Sequence, residues 1–598
     1  MNRWAILTVL LLIGMLNAFT AHVHAPAVLL NENKGTLTNI YLNVSKGRGI
    51  VNVSGPAQVG NSTLYSAETA AAYASSYLGI NESDYNFTYY IKDSGVNVSG
   101  PSAGLAFTML AVSALMQRQM FNNFTVTGTI DSTGSAGEVG GVYDKIGAAA
   151  KEGMEYALVP YTQESIERLV YYIAQQTYGV PLIEVGNLSE AMKYAYGTSP
   201  RPMVLNTTSD YNLGRISNAS LACISCNQSY FSELTNYTFN VTRTEIAGMG
   251  SSYADAKAGM LAQLSNYTAI ASKGYLYTGA DLAFVEYQQA FTLANSGNLS
   301  RGSAASLLDG ISAYCSSLSP PQMTTANYEY VIGGELRQEW GIINMRGAYA
   351  LLNATQTSDD VISAIDYAAP SEAWCGASAE MYDIAAGMQG STVNLSSGVK
   401  SDAYRAINNA RQYGSSMYLT AAISAYNASE YATALYSATY ASVFGSSTQP
   451  MNYSDAKAVE EIRTNIENST YGIWPAQFAD EAGFYLQQAA ITSENGTNAS
   501  ISSAYEIALL SRGLAGANKE IRDGFVAGTG TQKLPSINPG GPVIPSVQPE
   551  TISALEAENN LIMAMFAVLF AMLLVIIILL VIISRDIKAS GRKRGGRR

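Results

Sequence analysis

The chain has 598 residues, a formal net charge of −12 and only 13% charged residues, with two histidines and four cysteines. Both histidines, His22 and His24, stand beside the N-terminal apolar stretch, so a Ser-His-Asp triad, a His-ligated zinc site and a histidine general base are not expected in the body of the chain. An apolar content of 48% with 52 glycines suits several packed domains and excludes disorder throughout.

The first expected element is a leader over residues 1–27. Arg3 precedes an apolar run from Trp4 to Phe19, and Ala25-Pro26-Ala27 fits a small-x-small cleavage pattern; an uncleaved anchor is the alternative reading. Residues 28–198 then alternate strand and helix patterns. Strands are expected at Thr36 to Val44 and Gly49 to Ser54, a helix at Ser66 to Tyr77, and a strand at Asn86 to Ile91. A Gly-rich turn opens an apolar helix at Ser102 to Met116, followed by Phe124 to Ile130 as strand, Val142 to Glu152 as helix and Tyr156 to Pro160 as strand. The class is α+β or α/β.

From 199 to 530 the chain is rich in Ala, Tyr, Ser and Asn at helical spacing, as in Tyr413 to Phe444 and Ala456 to Ala517, and a mainly α-helical domain is expected. Its tyrosines are read as packing residues with hydroxyls at the surface. Residues 531–555 form a Pro-rich stalk, with five prolines between Leu534 and Glu550. Leu561 to Ile583 is an unbroken apolar run of 23 residues, long enough at ~1.5 Å per residue to cross a ~30 Å hydrocarbon core as a transmembrane helix. The tail, 584–598, holds seven Lys or Arg against one Asp, which places it in the cytoplasm and the rest of the chain outside.

Setting aside the tail (+6) and Arg3 (+1) leaves −19 on the remainder, which argues against nucleic-acid binding. Twenty-two Asn-X-Ser/Thr sites lie between Asn43 and Asn498 and none in the anchor or tail, the pattern of a glycosylated surface. Cys223, Cys226, Cys315 and Cys375 are expected to form two structural disulfides of undetermined connectivity, since Cys223-Ile-Ser-Cys226 has no thioredoxin-like context for a redox pair.

The stretch that carries chemistry is Gly95-Val-Asn-Val-Ser-Gly-Pro-Ser-Ala-Gly104, followed by Thr127-Gly-Thr-Ile130 and Gly137-Glu-Val-Gly-Gly-Val-Tyr-Asp-Lys-Ile146. Ser102 sits where a turn through Gly100 enters a helix, a place where backbone N–H groups and the helix dipole stabilise an oxyanion. Pro101 has no N–H, so the donors are Ser102 itself and residues before Pro101. With no histidine at hand the base has to be another group. Lys145, flanked by Ile146, Ala148 and Ala149, qualifies once desolvation lowers its pKa from ~10.4.

These motifs resemble the proteolytic domain of the Lon protease family, which has Gly-Pro-Ser-Ala-Gly around its nucleophile, then Thr-Gly-x-Ile, Gly-x-Val and Gly-Gly-x-x-x-Lys bearing the base. All occur here in order, and the resemblance extends over about 170 residues. It implies an α+β Lon-type domain followed by the helical domain and one membrane helix. It also implies Ser102 as nucleophile, Lys145 as general base, Thr127 and Gly100 as supporting residues, no cofactor or metal, polypeptide substrates and a possible homo-oligomer. Many family members have an acidic residue where Ser99 stands, and a glycan on the nearby sequon Asn97 would block the site, so that sequon is expected to be unoccupied; Asn123 is the other sequon near it. No Gly-x-x-x-x-Gly-Lys-Ser/Thr phosphate loop occurs in the 598 residues. The implied activity is a membrane-anchored, ATP-independent serine endopeptidase, archaeal in type. The competing reading is a non-catalytic glycosylated surface protein with the Lon-like domain as scaffold.

Overall fold

A computed structural model of the chain describes residues 20–29, 34–56, 59–92, 100–121, 123–197, 202–205, 228–446, 456–467, 472–490 and 494–527. The stalk, the 561–583 run, the basic tail, Cys223 and Cys226 lie outside the described residues. Among those described, no helix is long and apolar enough to cross a membrane.

The N-terminal segment is built on a seven-stranded sheet of order β3-β4-β2-β1-β5-β8-β9. Its strands are β1 (Thr20–Leu29), β2 (Lys34–Lys46), β3 (Val51–Ser54), β4 (Tyr85–Lys92), β5 (Phe124–Val126), β8 (Tyr156–Pro160) and β9 (Leu182–Val185). β1, β2 and β4 pair antiparallel, whereas β5 joins β1, and β8 and β9 follow, in parallel. A small hairpin pairs β6 (Thr129–Ile130) with β7 (Ala136–Gly137). One face is covered by α1 (Asn61–Tyr77), α2 (Gly104–Leu115) and α5 (Leu188–Ala195), the other by α3 (Val142–Lys151) and α4 (Ser165–Tyr178). The period-two pattern is visible in β8. Tyr156 and Leu158 join the first face's core, Ala157 and Val159 the second's.

The expected leader boundary at residue 27 is corrected here, because it falls inside β1. Ala21, Val23 and Ala25 are buried, and all ten residues of the strand pair with β2. Alternating small residues served a strand packed under a helix, and they imitated a cleavage pattern. The histidines therefore belong to the folded sheet: His22 stacks on Tyr41 with ring centroids 5.7 Å apart, and the His24 carbonyl accepts a 3.0 Å hydrogen bond from Thr125.

The region after 199 is helical among the described residues, apart from a short pair of strands, β10 (Val393–Leu395) and β11 (Phe525–Ala527). Its helices are α6 (Gln228–Gly248), α7 (Ala254–Ser272), α8 (Leu276–Asn295), α9 (Arg301–Ser317), α10 (Tyr328–Asn353) and α11 (Ser358–Gly387). They continue with α12 (Ser397–Ala410), α13 (Met417–Asn427), α14 (Tyr431–Ser446), α15 (Ala456–Glu467), α16 (Ile473–Ala489) and α17 (Glu494–Asp523). A disulfide between Cys315 and Cys375 ties α9 to α11. Tyrosines do pack this region, but not all of their hydroxyls reach the surface: the Tyr436 hydroxyl is buried on Asn518, and that of Tyr275 on Gln487. The two regions share a core. Val142, Ile146 and Leu169 of the N-terminal segment pack in one cluster with Ile246, Met260, Ile362 and Phe484.

Candidate active site

The turn carrying Ser102 is pinned through its carbonyls. Gly100 has φ +123°, a conformation open to glycine. Its carbonyl accepts from Thr63 Oγ1 at 3.2 Å and its N–H donates to Ser62 Oγ at 3.0 Å. The Pro101 carbonyl accepts from the Gly104 N–H (3.0 Å) and Ser66 Oγ (3.4 Å). The Ser102 carbonyl accepts from the Gly128 N–H (2.9 Å) and Thr127 Oγ1 (3.3 Å). This leaves the hydroxyl at the start of α2, in a cavity. The engaged Gly100 N–H narrows the expected oxyanion donors to the turn's own N–H groups. Those of Ser102 and Ala103 make no backbone hydrogen bond among the described residues.

Lys145 enters the same cavity from the opposite face of the sheet. It lies in the second turn of α3, whose entry at Gly141 has φ +69° and so little room that a Cβ there would come within 2.4 Å of Val28 Cγ2. Lys145 is 3% exposed, beside the fully buried Ile146, and its Nζ donates to Thr127 Oγ1 at 3.3 Å. Burial lowers its pKa to about 8, with the charge of Asp359 acting in the opposite direction. Thr127, which follows β5 directly and is itself buried, thus links the lysine to the Ser102 turn. No hydrogen bond joins the Ser102 hydroxyl to Nζ; catalytic contacts often tighten only when substrate is bound.

The helical region completes this site, which sequence reasoning missed. Asp359, in the first turn of α11, accepts the N–H groups of Val142 (2.7 Å) and Tyr143 (2.9 Å), capping the helix that carries Lys145. Asp144 returns the contact. It accepts the Ser358 N–H (2.9 Å) and Ser358 Oγ (2.7 Å) at the start of α11. Two helix N-termini meet, each capped by the other's carboxylate, which offsets the repulsion of their like dipole ends. Burial raises the Asp359 carboxyl to about 6, against the pull of the two N–H groups. The sequence did hold a partial signal, because Thr357 and Asp360 form a capping box, but nothing local shows that the adjacent Asp359 reaches a helix more than 200 residues upstream.

Ser102, Lys145, Asp359, residues 25–29 and Gly100 line one cavity of about 880 Å³. Neither histidine lines it. Asn97 and Ser99 lie outside the described residues, and the Asn123 side chain donates to Glu155 Oε1 at 2.8 Å, away from the cavity.

Residues 25–196 match the Lon protease (S16) C-terminal proteolytic domain. Similar proteins include a Lon protease of Elusimicrobium minutum, 31% identical over 157 residues, which are 26% of this chain and 18% of that protein. The archaeal Lon protease of Methanocaldococcus jannaschii is 27% identical over 188 residues, 30% of this chain and 28% of that protein. Lon protease 2 of Herpetosiphon aurantiacus is 26% identical over 193 residues, 31% of this chain and 23% of that protein. The chain thus spans less than a third of the length of these relatives.

Proposed function

We propose that the chain is an ATP-independent serine endopeptidase, anchored by the 561–583 segment and acting on extracytoplasmic polypeptides with a glycosylated outer region. The observation that carries the reading is a serine at a helix entrance and a desolvated lysine facing one cavity, linked through Thr127, in a Lon-type domain. Ser102 Oγ attacks the scissile carbonyl carbon while neutral Lys145 takes the hydroxyl proton. The oxyanion lies against the N–H groups at the start of α2, and the protonated lysine then delivers its proton to the leaving amine. Water, deprotonated by the same lysine, resolves the acyl-enzyme. With a pKa of about 8, Lys145 is neutral in a useful fraction near neutral pH.

An extended substrate has a backbone to pair with. β5 pairs with β1 only at His24, so beyond it residues 25–29 present a strand edge to the cavity. The absence of a phosphate loop from the 598 residues supports cleavage of chains that are already unfolded. The test is digestion of an unfolded protein by the purified full chain without ATP. Loss of cleavage in both Ser102→Ala and Lys145→Ala is expected; undiminished cleavage in either would remove the dyad.

A further inference from the structure

Beside the catalytic cavity lies a second recess of about 390 Å³, which shares lining residues Glu138, Asp359 and Asp360 with it and adds Glu167 and Tyr171. Four carboxylates therefore face this recess, and no lysine or arginine lines it among the described residues. Part of this charge is already held. Glu138 Oε1 accepts from Thr162 Oγ1 at 2.6 Å, Asp359 caps α3, and Asp360 Oδ2 accepts the N–H groups of Gln356 (2.9 Å) and Thr357 (2.8 Å). Arg168, on the same helix as Glu167, is engaged elsewhere: it pairs with Glu184 at 3.5 Å.

What remains points to a missing partner. Tyr171 is 2% exposed and lines the recess, yet its hydroxyl has no hydrogen-bond partner, and neither does Glu167 Oε2. Glu138 itself is exposed, but a buried hydroxyl and a buried carboxylate oxygen left unmet are each costly. Burial raises the Glu167 carboxyl above its ordinary range; a hydrogen bond from Thr162 pulls the other way, and the neighbouring Glu138 adds to the rise. Among the described residues no group of three acidic, histidine or cysteine side chains converges closely enough to hold a metal ion. Carboxylates spread around the recess suit instead a long side chain with a cationic head and several N–H donors, its stem lying along the apolar walls of Val170 and Ile166.

We propose that this recess is a side-chain subsite of the peptidase and that it takes a lysine or arginine of the polypeptide substrate, so that cleavage occurs at a fixed register from a basic residue. The proposal rests on the endopeptidase reading, and its test separates the two. Peptides identical except for lysine or norleucine at one position, scanned along the sequence, are offered to the full chain. At one register the lysine peptide is cleaved about tenfold or more faster in kcat/KM, the effect of a charged hydrogen bond in a desolvated site. Glu167→Gln and Glu138→Gln each lower that lysine-to-norleucine ratio several-fold. Cleavage with no lysine preference at any register, or a preference that both variants leave intact, overturns the subsite and leaves the peptidase standing. Binding is measured in parallel on the Ser102→Ala chain, where the lysine peptide is expected to bind more tightly than its norleucine twin. Equal affinity there overturns the subsite even if no peptide is cleaved.

Discussion

Replacing Asp359 separates the two things its carboxylate does for Lys145. Asp359→Ala removes both acceptors from the start of α3, leaving the Val142 and Tyr143 N–H groups without a partner and costing about 1–2 kcal/mol for the lost cap. Asp359→Asn keeps an acceptor and removes the charge. That charge is the influence holding the Lys145 pKa up against burial, so without it the lysine falls below about 8. Opposite charges several ångströms apart at an effective dielectric of about 20 are worth enough to move the midpoint by on the order of one pH unit. At pH 7 the neutral fraction then rises from roughly a tenth to about half, since each pH unit is tenfold in the protonation ratio. Asp359→Asn is therefore expected to raise kcat/KM at pH 7 about fivefold and move the profile's rising limb to lower pH, while Asp359→Ala lowers activity at every pH. The assay is the pH dependence of kcat/KM for one peptide between pH 5.5 and 9.5, scanned as an ~4-unit range around the ordinary operating window of a general base. An unchanged midpoint in Asp359→Asn would refute the coupling, and equal losses in both variants would reduce Asp359 to a structural cap.

Lys145→Met is expected to abolish cleavage and yet stabilise the fold. The lysine pKa is lower folded (about 8) than unfolded (~10.5), so its charged form costs about 3 kcal/mol below pH 8, and this cost fades as pH rises through 10.5. Denaturant unfolding at pH 7 and at high pH measures the gain and its disappearance. Asp359 has the opposite sign of pH dependence: with a folded pKa of about 6 against an ordinary 3.8, wild-type stability falls by about 3 kcal/mol as pH rises through that window, and Asp359→Asn flattens the fall. Gly141→Ala places a methyl 2.4 Å from Val28 Cγ2 at a positive φ, so a lowered Tm and a loss of kcat from a displaced α3 are expected together. Removing the Cys315–Cys375 bridge, which spans 60 residues, lowers stability by about 4 kcal/mol on a chain-entropy estimate, read from urea unfolding of the double alanine variant.

The sequence exposed those parts of the site that lie in one continuous stretch. The Ser102 turn, Thr127 and the Lys145 helix are set by glycines and a proline whose backbone demands are local, and β4 before them alternates buried and exposed residues. β1 was hidden because an apolar run precedes it and its small residues, Ala21, Ala25 and Ala27, fit two readings equally well. The long helical patterns hid their breaks. Tyr413 to Phe444 is interrupted between α13 and α14, where Ser429 takes φ +70° without a glycine to announce it. Ala456 to Ala517 likewise contains α15, α16 and part of α17. Asp359 was beyond reach for a different reason: its role is a tertiary contact between two helix ends, and no periodicity or motif encodes which end meets which.

The central claim is that Ser102 is acylated with Lys145 as its base. Its most direct test is to quench the full chain shortly after mixing with an activated ester of a short peptide and to locate the acyl group by peptide mapping. The adduct is predicted on Ser102, absent from Ser102→Ala and formed far more slowly in Lys145→Met. An acyl group on another residue, or unaltered acylation without Lys145, would contradict it.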